Sequence, residues 1–268
     1  MHPDQETYLR TSSRPTPTTN SPSVRPWRWI MAVLALTQLV APLVVNAVAG
    51  NFLRTGATNQ ALITPAGYAF SVWGVITLLS AVTSVAVLRF GLGSSWETSL
   101  LIDASVVFVG YSVWLAVAAQ DWLWASVVVA AVMVAALIHI LLLLVGRRAD
   151  LTCPSWLATL AATTFGLYLG WLGAAVFANV AAALIGSGVS AAGVWWQLVI
   201  LVAAAVFAVL LTTVLRGTWG YLAGAVWALV AITIGAAQRD SVVVSATAGA
   251  AALVVVAATV RVRRAQRP

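Results

Sequence analysis

The chain has 268 residues, 62% of them apolar and only 8% charged, with a formal net charge of +7. Soluble domains carry about a quarter charged residues, so this composition excludes one and points to a helical protein of the lipid bilayer. The basic residues are all Arg and sit at the ends of apolar runs rather than on one face, which argues against a nucleic-acid partner. One cysteine, Cys153, leaves no internal disulfide and no cysteine-held metal cluster.

In chain order, residues 1–26 read as a disordered tail, because twelve of the sixteen residues from Thr11 to Pro26 are Ser, Thr or Pro. The tail is too polar for a signal peptide, and the apolar run after it lacks a small-residue cleavage site. Apolar segments follow at 27–49, 66–88, 99–119, 122–145, 156–184, 195–215, 218–237 and 241–260. Each is long enough to cross a ~30 Å hydrocarbon core at ~1.5 Å per residue. The prediction is an all-α polytopic membrane protein with eight transmembrane helices. With both termini in the cytoplasm, twelve arginines fall inside and only Arg54 and Arg239 outside, a positive-inside pattern. The absence of Lys and the excess of Ala, Val and Arg suggest a GC-rich bacterial genome, hence a plasma membrane.

Pro42 and Asn46 in the first segment read as bending and packing residues. The 50–65 connection is the longest, and it runs into Thr64-Pro-Ala-Gly-Tyr-Ala-Phe-Ser-Val-Trp73. Pro65 suits a helix start, where its missing N–H costs nothing. In the third segment Asp103, Val107, Tyr111 and Trp114 share a face. The fourth carries His139, readable either as an axial haem ligand or as a hydrogen-bonded core residue. The third and fourth segments meet at Gln120–Asp121, so they form an antiparallel hairpin. Reflection about that turn brings Asp103 within one residue of His139, and an ionisable group at that depth seeks a partner. An Asp103–His139 contact clamping the hairpin is therefore expected. The fifth segment places Tyr168, Trp171, Ala175 and Asn179 on one stripe, at i, i+3, i+7 and i+11. Lipid cannot satisfy an amide, so this stripe must face protein, a cavity or a ligand. Gly166-x-x-x-Gly170 and Gly220-x-x-x-Gly224 permit close helix contact, which leaves a homodimer open. The last three segments are expected to pack against the first five without supplying the main aromatics.

Taken by depth, Tyr68 and Trp73, Tyr111 and Trp114, and Trp171 and Asn179 occupy one level in the outer half of the bundle. This is what an aromatic-lined cavity for a flat hydrophobic ligand needs. Trp27, Trp29, Trp122, Trp124, Trp195, Trp196 and Trp219 instead read as an interfacial belt.

The stripe Y-x-x-W-x-x-x-A-x-x-x-N and the proline-led motif before Trp73 resemble the tryptophan-rich sensory protein (TspO/MBR, translocator protein) family. The resemblance has departures. Phe70 and Trp73 are three apart rather than four, Ser71 replaces the second proline of W-V-F-x-P-V-W, and Tyr111 stands where an Asn is usual. It implies a five-helix core over residues 27–185, with residues 195–264 as a three-helix extension of the kind that longer relatives carry. It also implies a sensor or binding protein for tetrapyrroles such as porphyrin or haem, with no cofactor required. The implied ligand-binding set is Tyr68, Phe70, Trp73, Tyr111, Trp114, Tyr168, Trp171, Ala175 and Asn179. A small secondary transporter and a porphyrin-modifying enzyme are the alternatives. The first lacks a visible internal repeat. The second lacks any catalytic motif such as HExxH, G-x-S-x-G or a Walker loop.

Overall fold

The computed structural model describes residues 24–49 and 61–266. The tail expected to be disordered therefore lies mostly outside the described residues, as do residues 50–60 of the long connection and the side chain of Asn46. All eight expected spans are α-helices: α1 (Val24–Ala49), α2 (Val72–Phe90), α3 (Glu97–Ala119), α4 (Leu123–Gly146), α5 (Ser155–Gly186), α6 (Val194–Val214), α7 (Trp219–Ala237) and α8 (Val242–Ala265). Each is long and apolar enough to cross a membrane, and the described residues contain no strand. The chain is a multi-pass membrane protein.

Two boundaries differ from expectation. α1 begins at Val24, inside the segment read as tail, because Pro26 falls in its first turn, where proline is tolerated. The segment after Pro65 does not enter an α-helix directly. It makes a 3-10 turn, Gly67–Ser71, before α2 starts at Val72.

The helices pack mainly as sequence neighbours, α3 on α4 and α4 on α5, with α1 against both α2 and α3. The densest contact is non-local, between α5 and α7. Glycine explains it. A Cβ on Gly166 would lie 2.7 Å from the Tyr221 nitrogen, and one on Gly224 would lie 2.8 Å from the Trp171 nitrogen. A Cβ on Gly220 would lie 2.7 Å from Thr163 Cα. The two glycine faces that the sequence left open to dimerisation are thus pressed against each other within one chain, backbone to backbone. α7 in turn packs on α8 and α8 on α6, so the last three helices form a layer beside α5.

One end of the bundle is tied by a buried ion pair. Arg28 Nε, from the first turns of α1, donates to Glu97 Oε1 at 2.6 Å, and the Gly93 amide donates to Oε2 at 2.9 Å. Glu97 is fully enclosed by protein. Gly91 and Gly93, at φ of 69° and 70°, make the sharp α2–α3 connection that admits the guanidinium. The α4–α5 connection joins the same knot: the Thr152 and Cys153 amides donate to Leu92 O, and the Thr152 hydroxyl donates to Gly93 O. Arg147 and Arg148 follow α4 at this arginine-rich end. The aromatic residues of interest cluster toward the opposite end.

Candidate functional site

Trp73 is the hub. It sits in the first turn of α2 and is almost wholly buried. Its ring centroid lies 4.8 Å from that of Tyr111, 5.4 Å from Tyr168, 5.9 Å from Trp114 and 6.4 Å from Trp171. The contacts with Tyr168 and Trp171 are edge-to-face, the arrangement that aromatic quadrupoles favour. Phe70, in the 3-10 turn, sets its ring edge against Trp171 at 5.7 Å. The stripe of α5, the face of α3 and the proline-led motif thus converge on one point.

Beside this cluster lies a cavity of about 100 Å³, lined by Thr64, Pro65, Phe70, Trp73, Trp114, Trp171, Ala175, Ala178, Asn179 and Ala182. Six of the nine expected ligand-binding residues line it. Tyr111 and Tyr168 lie behind Trp73 as a second layer, and the Tyr168 hydroxyl donates to Gln38 Oε1 of α1 at 3.2 Å. Tyr68 departs from expectation. It is nearly half exposed, and its ring packs edge-on against Trp227 of α7 at 5.7 Å, outside the cavity lining. Its spacing accounts for this: five residues before Trp73, Tyr68 falls on the opposite side of the turn at either about 100° or about 120° per residue, although it lies at the same depth.

Several buried polar atoms of the bundle lack a partner among the described residues, Gln38 Nε2 and Trp96 Nε1 among them, and four more belong to residues of this cavity. Trp73, Trp114 and Trp171 each keep a buried indole N–H, and Asn179 a buried amide nitrogen, with no acceptor among the described residues. All four groups belong to cavity-lining residues, and all four are donors. A buried donor without a partner carries a desolvation cost of about 1–3 kcal/mol, which an acceptor within reach would relieve.

Two larger hollows, of about 540 and 580 Å³, run along α1. Their walls are mostly Val, Ile and Leu on the outer surface of the bundle. Acyl chains of a bilayer fill such grooves without any specific chemistry, so the smaller cavity with its unpaired donors is the candidate site.

Asp103 and His139 come together as hairpin geometry predicts, with His139 Nδ1 at 2.7 Å from Asp103 Oδ2. The pair sits on the α3–α4 surface away from the aromatic cavity, His139 about half exposed toward lipid. No cluster of three metal-ligating side chains exists among the described residues. Of the belt tryptophans, Trp29, Trp122, Trp124, Trp195 and Trp219 are exposed. Trp219 also receives the Arg263 guanidinium at 4.4 Å over its ring.

The sequence reading passed over Gln38, Ala178 and Ala182, and took Thr64 and Pro65 as the start of a helix motif without placing them at the site. Gln38 had a signal, being a carboxamide near the middle of a mostly apolar span. Ala178 and Ala182 carried none.

The fold and the cavity define a class: a polytopic helical membrane protein with an aromatic, donor-rich cavity buried between its helices. The sequence model of the TSPO-like protein family matches residues 28–260, and the chain belongs to that family. The match runs through all eight helices rather than stopping after the fifth. No curated protein and no solved structure matches the chain.

Proposed function

We propose that this protein is a membrane receptor that binds a flat hydrophobic ligand, a tetrapyrrole such as porphyrin or haem, without converting it chemically. The observation that carries the reading is the set of four unpartnered N–H donors on Trp73, Trp114, Trp171 and Asn179. Tetrapyrroles combine a planar apolar ring, suited to aromatic walls, with carboxylates that accept hydrogen bonds from such donors. Ligand sites for drug-sized molecules measure about 300–1,000 Å³, and this cavity measures about 100 Å³. It holds an acceptor group and a few attached atoms, and a whole macrocycle requires its walls to part. Family membership is consistent with this role, and the positive-inside pattern puts the cavity toward the outer face of a bacterial plasma membrane.

The test is titration of purified protein with protoporphyrin IX and with its dimethyl ester, followed by tryptophan quenching. The free acid should bind and the ester should bind at least tenfold more weakly. Equal affinity for the two, or no saturable quenching with either, overturns the reading.

A further inference from the structure

The cavity has one wall that is not a transmembrane helix. Thr64 and Pro65 line it, and both belong to the stretch that leads through the 3-10 turn into α2. This stretch is fastened to α6, to α7 and to the turn after α7 at successive points. The Leu62 amide donates to Gln197 Oε1 of α6 at 2.6 Å. Gln197 is itself fully buried, and its Nε2 donates to Ala191 O and Gly193 O, which fixes the orientation of its amide. The Ala66 amide donates to Ala231 O of α7 at 2.9 Å. This carbonyl lies in the interior of α7, and Gly235 leaves the space, since a Cβ there would lie 2.9 Å from the Ala66 nitrogen. Arg239 Nη1 donates to Thr64 O at 2.9 Å, and Trp227 Nε1 to Ala69 O at 3.0 Å.

The other cavity walls are rings and small residues of α2, α3 and α5, each held by a continuous helical hydrogen-bond ladder and by core packing on every side. Moving any of them disrupts a transmembrane helix. Moving residues 61–71 breaks no transmembrane ladder; it uncovers the buried side chains of Ala61, Ile63, Ala66 and Ala69 and parts a short series of individual hydrogen bonds to α6, α7 and Arg239. Since the closed cavity is too small for a drug-sized ligand, admission requires one wall to move, and this is the wall with separable attachments.

We infer that α6 and α7 are the latch of the cavity: Gln197, Trp227 and Arg239 are positioning residues that hold the 61–71 wall shut and set how fast a ligand is admitted and released. None of the three lines the cavity. The latch rests on the proposed binding role for its purpose but not for its test, which needs no ligand.

The experiment uses the full-length chain with Cys153→Ser, which removes the only thiol, and Ala182→Cys as a reporter in the cavity wall. Val189→Cys, on the exposed α5–α6 connection, serves as the control. Gln197→Leu, Trp227→Phe and Arg239→Gln are each combined with both reporters, and N-ethylmaleimide labelling is timed in detergent. The expected result is labelling of the Ala182→Cys reporter at least tenfold faster in the latch variants, with the Val189→Cys rate unchanged. Trp227→Phe keeps the ring against Tyr68 and loses only the donor, so it remains informative if Gln197→Leu fails to fold. Labelling at the parental rate in folded Trp227→Phe and Arg239→Gln overturns the latch. Protoporphyrin IX binding measured on the same proteins separates the two claims. Faster association and dissociation together support the latch, whereas absence of binding to the parent refutes the tetrapyrrole reading and leaves the labelling result to decide the latch.

Discussion

Replacing Gly170 by Ala adds one methyl group where two helix backbones meet. Its Cβ would lie 2.5 Å from the Ala225 nitrogen and 2.8 Å from the Gly224 carbonyl carbon, and closer still to Tyr221 O. Ordinary Cβ contacts fall at 3.4–4 Å. The neighbours are backbone atoms of α7, so no side chain can rotate away, and α5 and α7 must separate by roughly an ångström. Overpacking of this kind costs about 1–3 kcal/mol, partly offset by the ~0.5–1 kcal/mol that Ala gains over Gly within a helix. A net loss of about 1–2 kcal/mol follows, or several degrees in melting temperature at about 2–4 °C per kcal/mol. Gly74→Ala is the companion, because no atom lies within 4 Å of its Cβ position, on an exposed face of α2. It should hold or raise the midpoint. Thermal unfolding of both variants in one detergent, followed by tryptophan fluorescence, decides the matter. If Gly170→Ala melts at or above the parent, or if the two substitutions shift the midpoint equally, then close α5–α7 contact is not what holds the C-terminal helices to the rest.

Asp103→Asn and His139→Gln should show a coupling of about 0.5–2 kcal/mol in a double-mutant cycle on stability, the scale of polar pairs in membrane proteins; additive effects would mean that the 2.7 Å contact does not clamp the hairpin. Arg28→Met leaves the enclosed Glu97 carboxylate without its cation and should destabilise by about 3–5 kcal/mol, whereas the double variant Arg28→Met/Glu97→Gln should recover at least half of that loss in the same unfolding assay. Trp171→Phe preserves an aromatic surface against Phe70 and Trp73 but deletes one buried donor, and should weaken protoporphyrin IX binding by about 1–2 kcal/mol with little change in midpoint. Burial pushes the Cys153 thiol above its ordinary range. The thiolate is the reactive form, so iodoacetamide should alkylate Cys153 slowly at neutral pH and faster only above the ordinary thiol range; rapid labelling at pH 7 would contradict this.

The parts of the structure that could be read from the sequence are those fixed by local periodicity and short turns. Eight apolar runs became eight helices because a span needs about twenty apolar residues and little else. Trp73 met Trp171 because the i+3, i+7 stripe of α5 and the depth of each residue along its helix left few other arrangements. Asp103 met His139 because a two-residue hairpin fixes the register of α3 against α4. Tyr68 was misplaced for an equally local reason: it was grouped by depth alone, whereas its spacing of five residues from Trp73 puts it on the opposite side. The partner of the α5 glycines lay beyond this kind of reading. A Gly-x-x-x-Gly face fits another chain as well as its own, and the choice of α7 depends on where three later helices run. The hydrogen bonds from Gln197, Trp227 and Arg239 to backbone carbonyls and amides near residue 65 were hidden likewise, because their partners have no side-chain identity to recognise.

The Arg28–Glu97 knot gives the bundle a mechanical polarity. It gathers α1, the α2–α3 connection and the α4–α5 connection with a charged, doubly hydrogen-bonded carboxylate. At the other end, the attachments around residue 65 are a carboxamide, an indole, one backbone bond and one guanidinium on a neutral carbonyl. Charge-assisted bonds are roughly twice as strong as neutral ones, so the end with a full ion pair and a second bond to the same carboxylate resists separation more than the end where the carboxamide, indole and backbone bonds are neutral. Such a molecule behaves like a pair of tongs with a fixed pivot. In such a molecule any separation of the helices starts at the aromatic end, beside the cavity, and not at the arginine-rich end.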